Sequence, residues 1–387
     1  MNNIDKLLQG TEMEWKTLGE VAELKRGRVM SKEYLTENIG KHPVYSSQTA
    51  NNGEIGSIST YDFDGEYITW TTDGANAGTV FHRNCKFSIT NVCGLIRIQN
   101  SDEILYKFLF YWLSIEAKKH VYSGMGNPKL MSNQMAKILI PIPPLKIQQE
   151  IVAILDKFTE LTTELTAELT AELTARKKQY SYYREQLLSF EDGEVEWKML
   201  GEVGEVRMCK RILKEQTSDV GEIPFYKIGT FGKEANAYIS KKLFEEYKEK
   251  YSYPKVGEVL ISASGTIGRA VIFDGRDAYF QDSNIVWIEN NERIVLNKYL
   301  FYFYQIAKWE IAEGGTIQRL YNDNLKKTKI PIPPLSEQQR IVAILDKMDT
   351  LTNSISEGLP REIELRQKQY EYYRNRLLDF DKWKVEN

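Results

Sequence analysis

Apolar residues recur three and four positions apart over two long stretches of the chain. In the first they fall at Ile147, Ile151, Ile154, Phe158, Leu161, Leu165, Leu169, Leu173, Tyr180, Tyr183 and Leu187. In the second they fall at Ile341, Ile344, Met348, Leu351, Ile355, Leu359, Ile363, Tyr370, Tyr373 and Leu377. This spacing lines one face of a helix and predicts two helices of about 45 residues, roughly 65 Å each at ~1.5 Å per residue. A stripe that narrow needs a partner. The two helices are therefore expected to pair antiparallel about a pseudo-twofold axis, through a coiled-coil seam whose run of fours is a stutter. Double prolines precede each start, where a missing N–H costs nothing, and Ser336 with Gln339 has capping-box spacing. The first helix has a low-complexity centre, TTELTAELTAEL (162–173); the second has Gly358 and Pro360 at the matching place, which predicts a kink or break.

Both helices begin in the same motif. IPIPPLKIQQEIVAILDK starts at Ile140 and returns as IPIPPLSEQQRIVAILDK at Ile330, a strand, a proline stop and a helix start. Internal repetition of this kind governs the whole fold. Ahead of each copy the period changes to the short alternation of strands. In the first segment, EYITWTT (66–72) and NVCGLIRI (91–98) read as strands, and Ser101 is placed to cap the helix ILYKFLFYWLSIEAKK. A loop, YSGMGNPKL (122–130), and a short helix follow. In the second segment, VLISASGTIGRAVIF (259–273) and NIVWI (284–288) read as strands, IVLNKYLFYFYQIAKWEI (294–311) as a helix, and GGTIQRLYNDNL (314–325) as the counterpart loop. The class expected is α+β, with two related globular modules separated by the long helices. Leu7-Leu8 before Trp15, and Leu377-Leu378 before Trp383, repeat the junction Leu187-Leu188 before Trp197. The chain thus reads as a cyclic repeat that opens on a remnant of one unit and closes on the start of another, with its termini close together.

Composition narrows the function. Three cysteines (Cys85, Cys93, Cys209) form no paired framework, which fits a reducing cytoplasm. No apolar run approaches the ~20 residues of a membrane span, and MNNIDKLLQG lacks a secretory pattern. There is no GxxxxGK[ST], HExxH or GxSxG. His82 and Cys85 have no second ligand pair at zinc spacing, so no metal and no cofactor are assigned. SGTIGRA (264–270) lies between strands and reads as a hairpin turn, not a phosphate loop. Nothing here makes or breaks bonds.

Basic and amide residues offer more. The net charge of −3 does not exclude nucleic acid, because binding responds to the local field. Each module opens on a basic cluster, Lys25, Arg26 and Arg28 in the first and Arg207, Lys210 and Arg211 in the second. Lys25 matches Arg207, Arg28 matches Lys210, and in the late loops Lys129 matches Arg319. Matched cations in loops suit phosphate contact. The polar residues nearby differ between copies. One module has Ser46, Ser47, Gln48, Asn51 and Asn52, with Thr72, Asp73 and Asn76; the other has Lys227, Lys233, Asn236, Ser264, Thr266, Gln281, Asn284 and Gln318. Amides and arginines can read base edges, although Asn and Ser are also ordinary turn residues.

The doubled PIPPL…QQ.IVAILDK junction, with its TAEL-type central repeat, resembles the specificity subunit of a type I restriction–modification system over essentially the whole chain. The resemblance implies a remnant of the helical repeat at 1–13, target recognition domains at 14–143 and 193–333, a central helix at 144–192, and a C-terminal helix and tail at 334–387. It implies that each domain reads one half of a split, asymmetric duplex target, while the helices set the spacer and dock two adenine-methylating modification subunits, which restriction subunits join. Asn127-Pro128-Lys129 does not match the NPPY or DPPY motif of the methylating partner. Pseudo-twofold symmetry predicts half-sites about one helical turn, roughly 34–36 Å, apart. Two other classes compete on the residues alone: a free-standing DNA-binding regulator, and a coiled-coil adaptor whose loops bind protein.

Overall fold

A computed structural model describes residues 13–124, 126–191, 193–311, 318–354 and 356–380. Residues 1–12 of the expected remnant at 1–13, and the third copy of the junction at 383–385, lie outside these. The chain divides into two compact units, Met1–Glu168 with Glu364–Asn387, and Leu169–Ile363.

In the first unit β1 (Glu14–Thr17) pairs antiparallel with β8 (Leu139–Ile142), so the start of the module is tied to its end. Between them lies a sheet of order β2-β7-β5-β6-β3-β4, formed by β2 (Ala22–Arg26), β3 (Ile39–Tyr45), β4 (Glu54–Ile58), β5 (Phe63–Thr71), β6 (Val80–Ile89) and β7 (Cys93–Ile98). All pairs are antiparallel except β3 with β6. Period-2 alternation sorts the side chains. Ile68, Trp70, Ile96 and Ile98 face a core shared with helix α1 (Tyr106–Glu116), whereas Phe87, Ile89, Cys93 and Leu95 form a second, smaller core on the other face. An isolated parallel bridge from Arg28 to Thr90 joins the extension of β2 to the end of β6.

The second unit repeats the plan with a split sheet. β9 (Glu196–Met199) pairs with β17 (Lys329–Ile332). A four-stranded sheet runs β10 (Gly204–Arg207), β16 (Ile285–Asn290), β13 (Val259–Ser262), β14 (Ala270–Ile272). A three-stranded one runs β12 (Tyr238–Ile239), β11 (Ile223–Tyr226), β15 (Tyr279–Phe280), beside helix α3 (Lys241–Lys250). The antiparallel pairing of β13 with β14 makes SGTIGRA the expected hairpin turn. Ahead of β17 stands helix α4 (Asn297–Tyr304).

Both module helices are shorter than their apolar runs. Ser101 caps nothing; Asn100 accepts from the N–H of Asp102, Glu103 and Ile104 in a tight turn, and α1 starts only at Tyr106. Likewise the run 294–311 yields α4 alone, because Asn291 closes the preceding turn on Ile294 and Val295. In each copy a glutamine of the repeated junction holds the strand-like residue just before the helix. Fully buried Gln148 accepts from the Leu105 N–H (2.9 Å) and donates to the carbonyls of Glu103 and Pro143 (2.8 Å each). Gln338, also fully buried, accepts from Leu296 N–H and donates to Ile294 and Pro333, each at 2.9 Å. The aspartate of the same motif fastens the helix about two turns further on. Asp156 accepts from Tyr111 (2.8 Å) and Lys107 (2.5 Å); Asp346 accepts from Tyr302 (2.6 Å) and Lys298 (2.5 Å). The repeated residues are therefore the clasp between module and helix.

The first long helix, α2 (Leu145–Leu188), is continuous over 44 residues. The second is two helices, α5 (Leu335–Asn353) and α6 (Gly358–Leu377), as Gly358 and Pro360 predict. Ser354 accepts from the N–H groups of Ser356 and Glu357 in the break, Gly358 takes φ +76°, and Pro360 falls in the first turn of α6, where no N–H is required. The Ser336–Gln339 capping box does not form; Pro334 occupies the cap position and Ser336 lies within the first turn. The seam is also less even than its spacing predicts. Ile151, Leu155, Tyr180 and Leu188 are buried at the ends of α2, whereas Leu165, Leu169 and Leu173 are half-buried, and Leu161, Tyr183 and Leu351 are exposed. At the ends, apolar residues such as Val152 and Leu155 flank the stripe; in the TAEL centre its neighbours are Thr, Ala and Glu, so a single leucine row has no second row beside it. Within the first unit α2 and α6 run antiparallel, with Phe158 stacked on Tyr373 (5.6 Å) and Thr159 bonded to Tyr370 (3.1 Å). Within the second, burial and then Asp349 push the Tyr180 phenol up to about 12.

Candidate nucleic-acid interface

The strand register fixes which residues correspond. Ala22 faces Ile98 across β2–β7 and Gly204 faces Asn290 across β10–β16, each directly after a Leu-Gly-Glu-Val turn. Lys25 and Arg207 thus occupy one place, as do Arg28 and Lys210, while Arg26 is matched by Met208. The late loops agree equally well. Lys129 bridges Asp73 and Arg319 bridges Ser264, and the next residues, Leu130 and Leu320, donate to the carbonyls of Thr72 (2.9 Å) and Ala263 (2.8 Å). A buried leucine seats each loop and leaves its cation exposed.

In the first module these residues converge. Arg26 donates to the Thr72 hydroxyl (2.9 Å) and the Asn91 carbonyl (2.6 Å) and lies 3.6 Å from Asp73, which is also 3.6 Å from Lys129. Thr72 is fully buried and donates to Asp73, so its hydroxyl steadies Arg26 instead of facing solvent. Arg28 stands beside this cluster, bound to Asp62 (3.0 Å) and Tyr34 (3.0 Å); the Tyr34 hydroxyl, with Asp62, raises its guanidinium pKa. Lys25 pairs with Glu23 on its own strand. Ser46 joins Thr90 (2.8 Å), Gln48 donates to the Glu54 carbonyl, and half-buried Ser47 lies between them. Asn51 and Asn52, exposed at the tip, both take left-handed φ, +48° and +53°. Asn76 is exposed at the β5–β6 turn.

The second module distributes its charges differently. Arg207 is paired with Glu289 (2.9 Å) and Glu205 (2.7 Å), and Glu289, shared with Lys255, is held below the ordinary carboxylate range by Lys255 and then Arg207. Arg211 pairs with Asp282 (2.8 Å), and Lys210 lies over the Tyr251 ring at 5.2 Å. Lys227 and Lys233 are exposed on the loop after β11. Ser264, nearly buried, donates to Asn284 (2.8 Å), so these two brace the hairpin whose tip exposes Thr266. Gln281 accepts from the Ile228 N–H, and exposed Gln318 precedes Arg319.

Sequence reasoning passed over Arg83. Its guanidinium is buried, 3% exposed, and donates to the Asn52 carbonyl at 2.7 Å. The signal was present: on β6 it shares the parity of Phe81, Phe87 and Ile89, a cation in the apolar phase of a strand. Neither buried thiol is poised as a nucleophile, since burial pushes Cys93 and Cys209 up to about 12. Among the described residues no three His, Cys, Asp or Glu side chains form a metal-binding group, and no helix is long and apolar enough to cross a membrane.

Shared register carrying unlike surface side chains defines a paired binding protein, one scaffold used twice for two different surfaces. Comparison with known proteins gives that class its family. The model of the type I restriction modification DNA specificity domain matches residues 11–175 and again 193–365. A protein of Haemophilus influenzae named as a type I restriction enzyme specificity subunit is 54% identical over 97% of this chain and 98% of its own. The EcoR124I/EcoR124II specificity subunit of Escherichia coli is 35% identical over 99% and 98%. A solved chain from work on complex assembly in the type I R-M system shares the fold, with TM-score 0.64 at 17% identity over 95% of this chain and 97% of that one. This chain belongs to the type I restriction–modification DNA specificity family, whose members are specificity subunits and not catalytic ones.

Proposed function

We propose that the chain is the subunit that chooses the DNA sequence for a type I modification and restriction complex, acting in the cytoplasm. Each module reads one half of a bipartite, asymmetric duplex target. The reading domains comprise residues 14–143 and 193–333, and the long helices set the unread spacer and dock two adenine-methylating subunits, which restriction subunits join. The observation that carries this reading is the equivalence of Lys129 and Arg319 on matching backbone bridges, beside loops with different polar residues. Equivalent cations serve phosphates; unlike neighbours serve different bases.

Exposed residues take the contact roles: Lys25, Arg26, Arg28, Asn51, Asn52, Asn76 and Lys129 in the first module, and Lys210, Arg211, Lys227, Lys233, Thr266, Gln318 and Arg319 in the second. Half-buried Ser47, Gln48 and Arg207 flank them. Thr72, Ser264 and Asn284 act from beneath. The ion pairs of Arg28, Lys129 and Arg211 are partly solvated and weak, of order 0–1 kcal/mol, so a phosphate can replace the carboxylate partner. The test is equilibrium binding of the full chain with its modification partners to target and scrambled duplexes over a range of salt. Specific binding with a steep negative salt slope supports the reading, and binding indifferent to both sequence and salt defeats it.

A further inference from the structure

We propose that Arg83 is a positioning residue that presents the Asn51–Asn52 turn for base reading in the first half-site. The inference rests on the reading of that loop as DNA-facing, and it concerns a residue that does not itself reach the surface.

The turn is held from several sides. Ser46 N–H donates to the Gly53 carbonyl (3.0 Å), and the Gln48 amide donates to the Glu54 carbonyl, closing the loop at its base. Asn51 and Asn52 then adopt left-handed backbone, a conformation that asparagine tolerates better than most residues but that still needs support. Arg83 supplies it from below. Its Nη2 donates to the Asn52 carbonyl at 2.7 Å, its Nε donates to Thr69 Oγ1 at 3.3 Å, and its guanidinium lies between the rings of Tyr45 (3.6 Å) and Phe81 (4.5 Å). Both rings and Thr69 belong to the sheet, so the arginine transmits the rigidity of β3, β5 and β6 to the tip.

This arrangement is a poor device for stability alone. Among the described residues no carboxylate pairs with Arg83, and burial depresses its pKa. A buried charge without a counter-ion is costly, and apolar residues of similar size usually serve a core as well or better. What the guanidinium gives instead is direction. One planar fork fixes a carbonyl and a hydroxyl at once, which an ammonium or an alkyl chain cannot do. The carbonyl so fixed belongs to one of two adjacent asparagines that are exposed to solvent, with no side-chain hydrogen bond to another of the described residues, at φ values that set their angle. Amide side chains read a base edge through two bonds at once, and that requires the amide plane to be held.

The experiment maps methyl-adenine genome-wide in cells carrying the full chain with its modification partners, as wild type, Asn51→Ala/Asn52→Ala, Arg83→Met, Arg83→Lys and Gly53→Ala. Gly53 has φ +83°, and a Cβ there would lie 3.2 Å from Arg83 Nη2, 3.3 Å from the Gln48 carbonyl and 3.7 Å from the Phe81 ring, so Gly53→Ala disturbs the same turn while keeping the Arg83 side chain. The double asparagine variant is expected to lose base preference at one or two positions of one half-site, roughly tenfold or more. Arg83→Met, Arg83→Lys and Gly53→Ala should relax those same positions and leave the other half-site unchanged. Should Arg83→Met fail to fold, Gly53→Ala decides the matter. If the asparagine variant relaxes a half-site but Gly53→Ala and the soluble Arg83 variants do not, the positioning role is wrong while the loop still reads. If the asparagine variant changes neither half-site, the loop is not a reader and the inference falls with it.

Discussion

Gln148 and Gln338 each satisfy one N–H and two carbonyls at the join of module and helix, and of these the Pro143 and Pro333 bonds are buried. Replacing either by alanine leaves one buried carbonyl without a partner, at about 1–3 kcal/mol, and frees two part-buried groups that water can reach at smaller cost. Gln148→Ala and Gln338→Ala should each lower unfolding stability by about 2–4 kcal/mol. Urea denaturation checks this; a loss under about 0.5 kcal/mol would mean that water replaces the amide. The motif was plain in the sequence as a repeat, but its role was not. The groups that Gln338 serves, at Ile294, Leu296 and Pro333, become neighbours only when the fold is complete.

Cations and amides separate at the same scale. Lys210, exposed over Tyr251 and with no carboxylate partner among the described residues, is placed to meet a phosphate. Lys210→Ala should weaken binding to all duplexes alike and flatten the slope of log K against log salt by about 1. A change confined to one base position would make it a reader. Burial redraws the rest of the candidate site. Thr72 and Ser264 have residue types that suit base contact, yet they lie under the surface and brace their neighbours. Sequence carries the residue type and the strand phase; which hydroxyl ends beneath which arginine depends on strand order, and a single sequence does not encode that legibly.

Among elements, the helices show the clearest division between what pattern reveals and what it hides. The break in the second helix follows from Gly358 and Pro360, whose backbone preferences act locally. The lengths of α1 and α4 do not follow from their apolar runs, because hydrogen bonds to Asn100, Asn291, Gln148 and Gln338 end the preceding loops at residues that the apolar pattern would place inside a helix. The continuous TAEL centre of α2, with its thin leucine row, is the part of the molecule that can change length without disturbing a core. Adding one TAEL unit lengthens it by ~6 Å. If α2 is the ruler, the preferred spacer grows by about one or two base pairs at ~3.4 Å each, with both half-sites intact. Methylation mapping of the insertion variant reads this directly, and an unaltered spacer would remove the ruler from the account.

At the scale of the whole molecule, one plan is executed twice with different results. The first module has a single six-stranded sheet and the second splits its strands between two sheets, yet the clasp, the entry strands and the seat of the late cation agree residue for residue. Such agreement at the joins, with divergence at the tips, is what a subunit needs if its partners are to meet the same surface twice while its DNA differs between halves. The most direct test compares methyl-adenine across the host genome with and without this chain. The account predicts a methylated motif that depends on the chain and consists of two unlike specified half-sites around a fixed run of unspecified bases. A chain-dependent motif that is contiguous or palindromic, or a methylation map that does not change when the chain is removed, would contradict it.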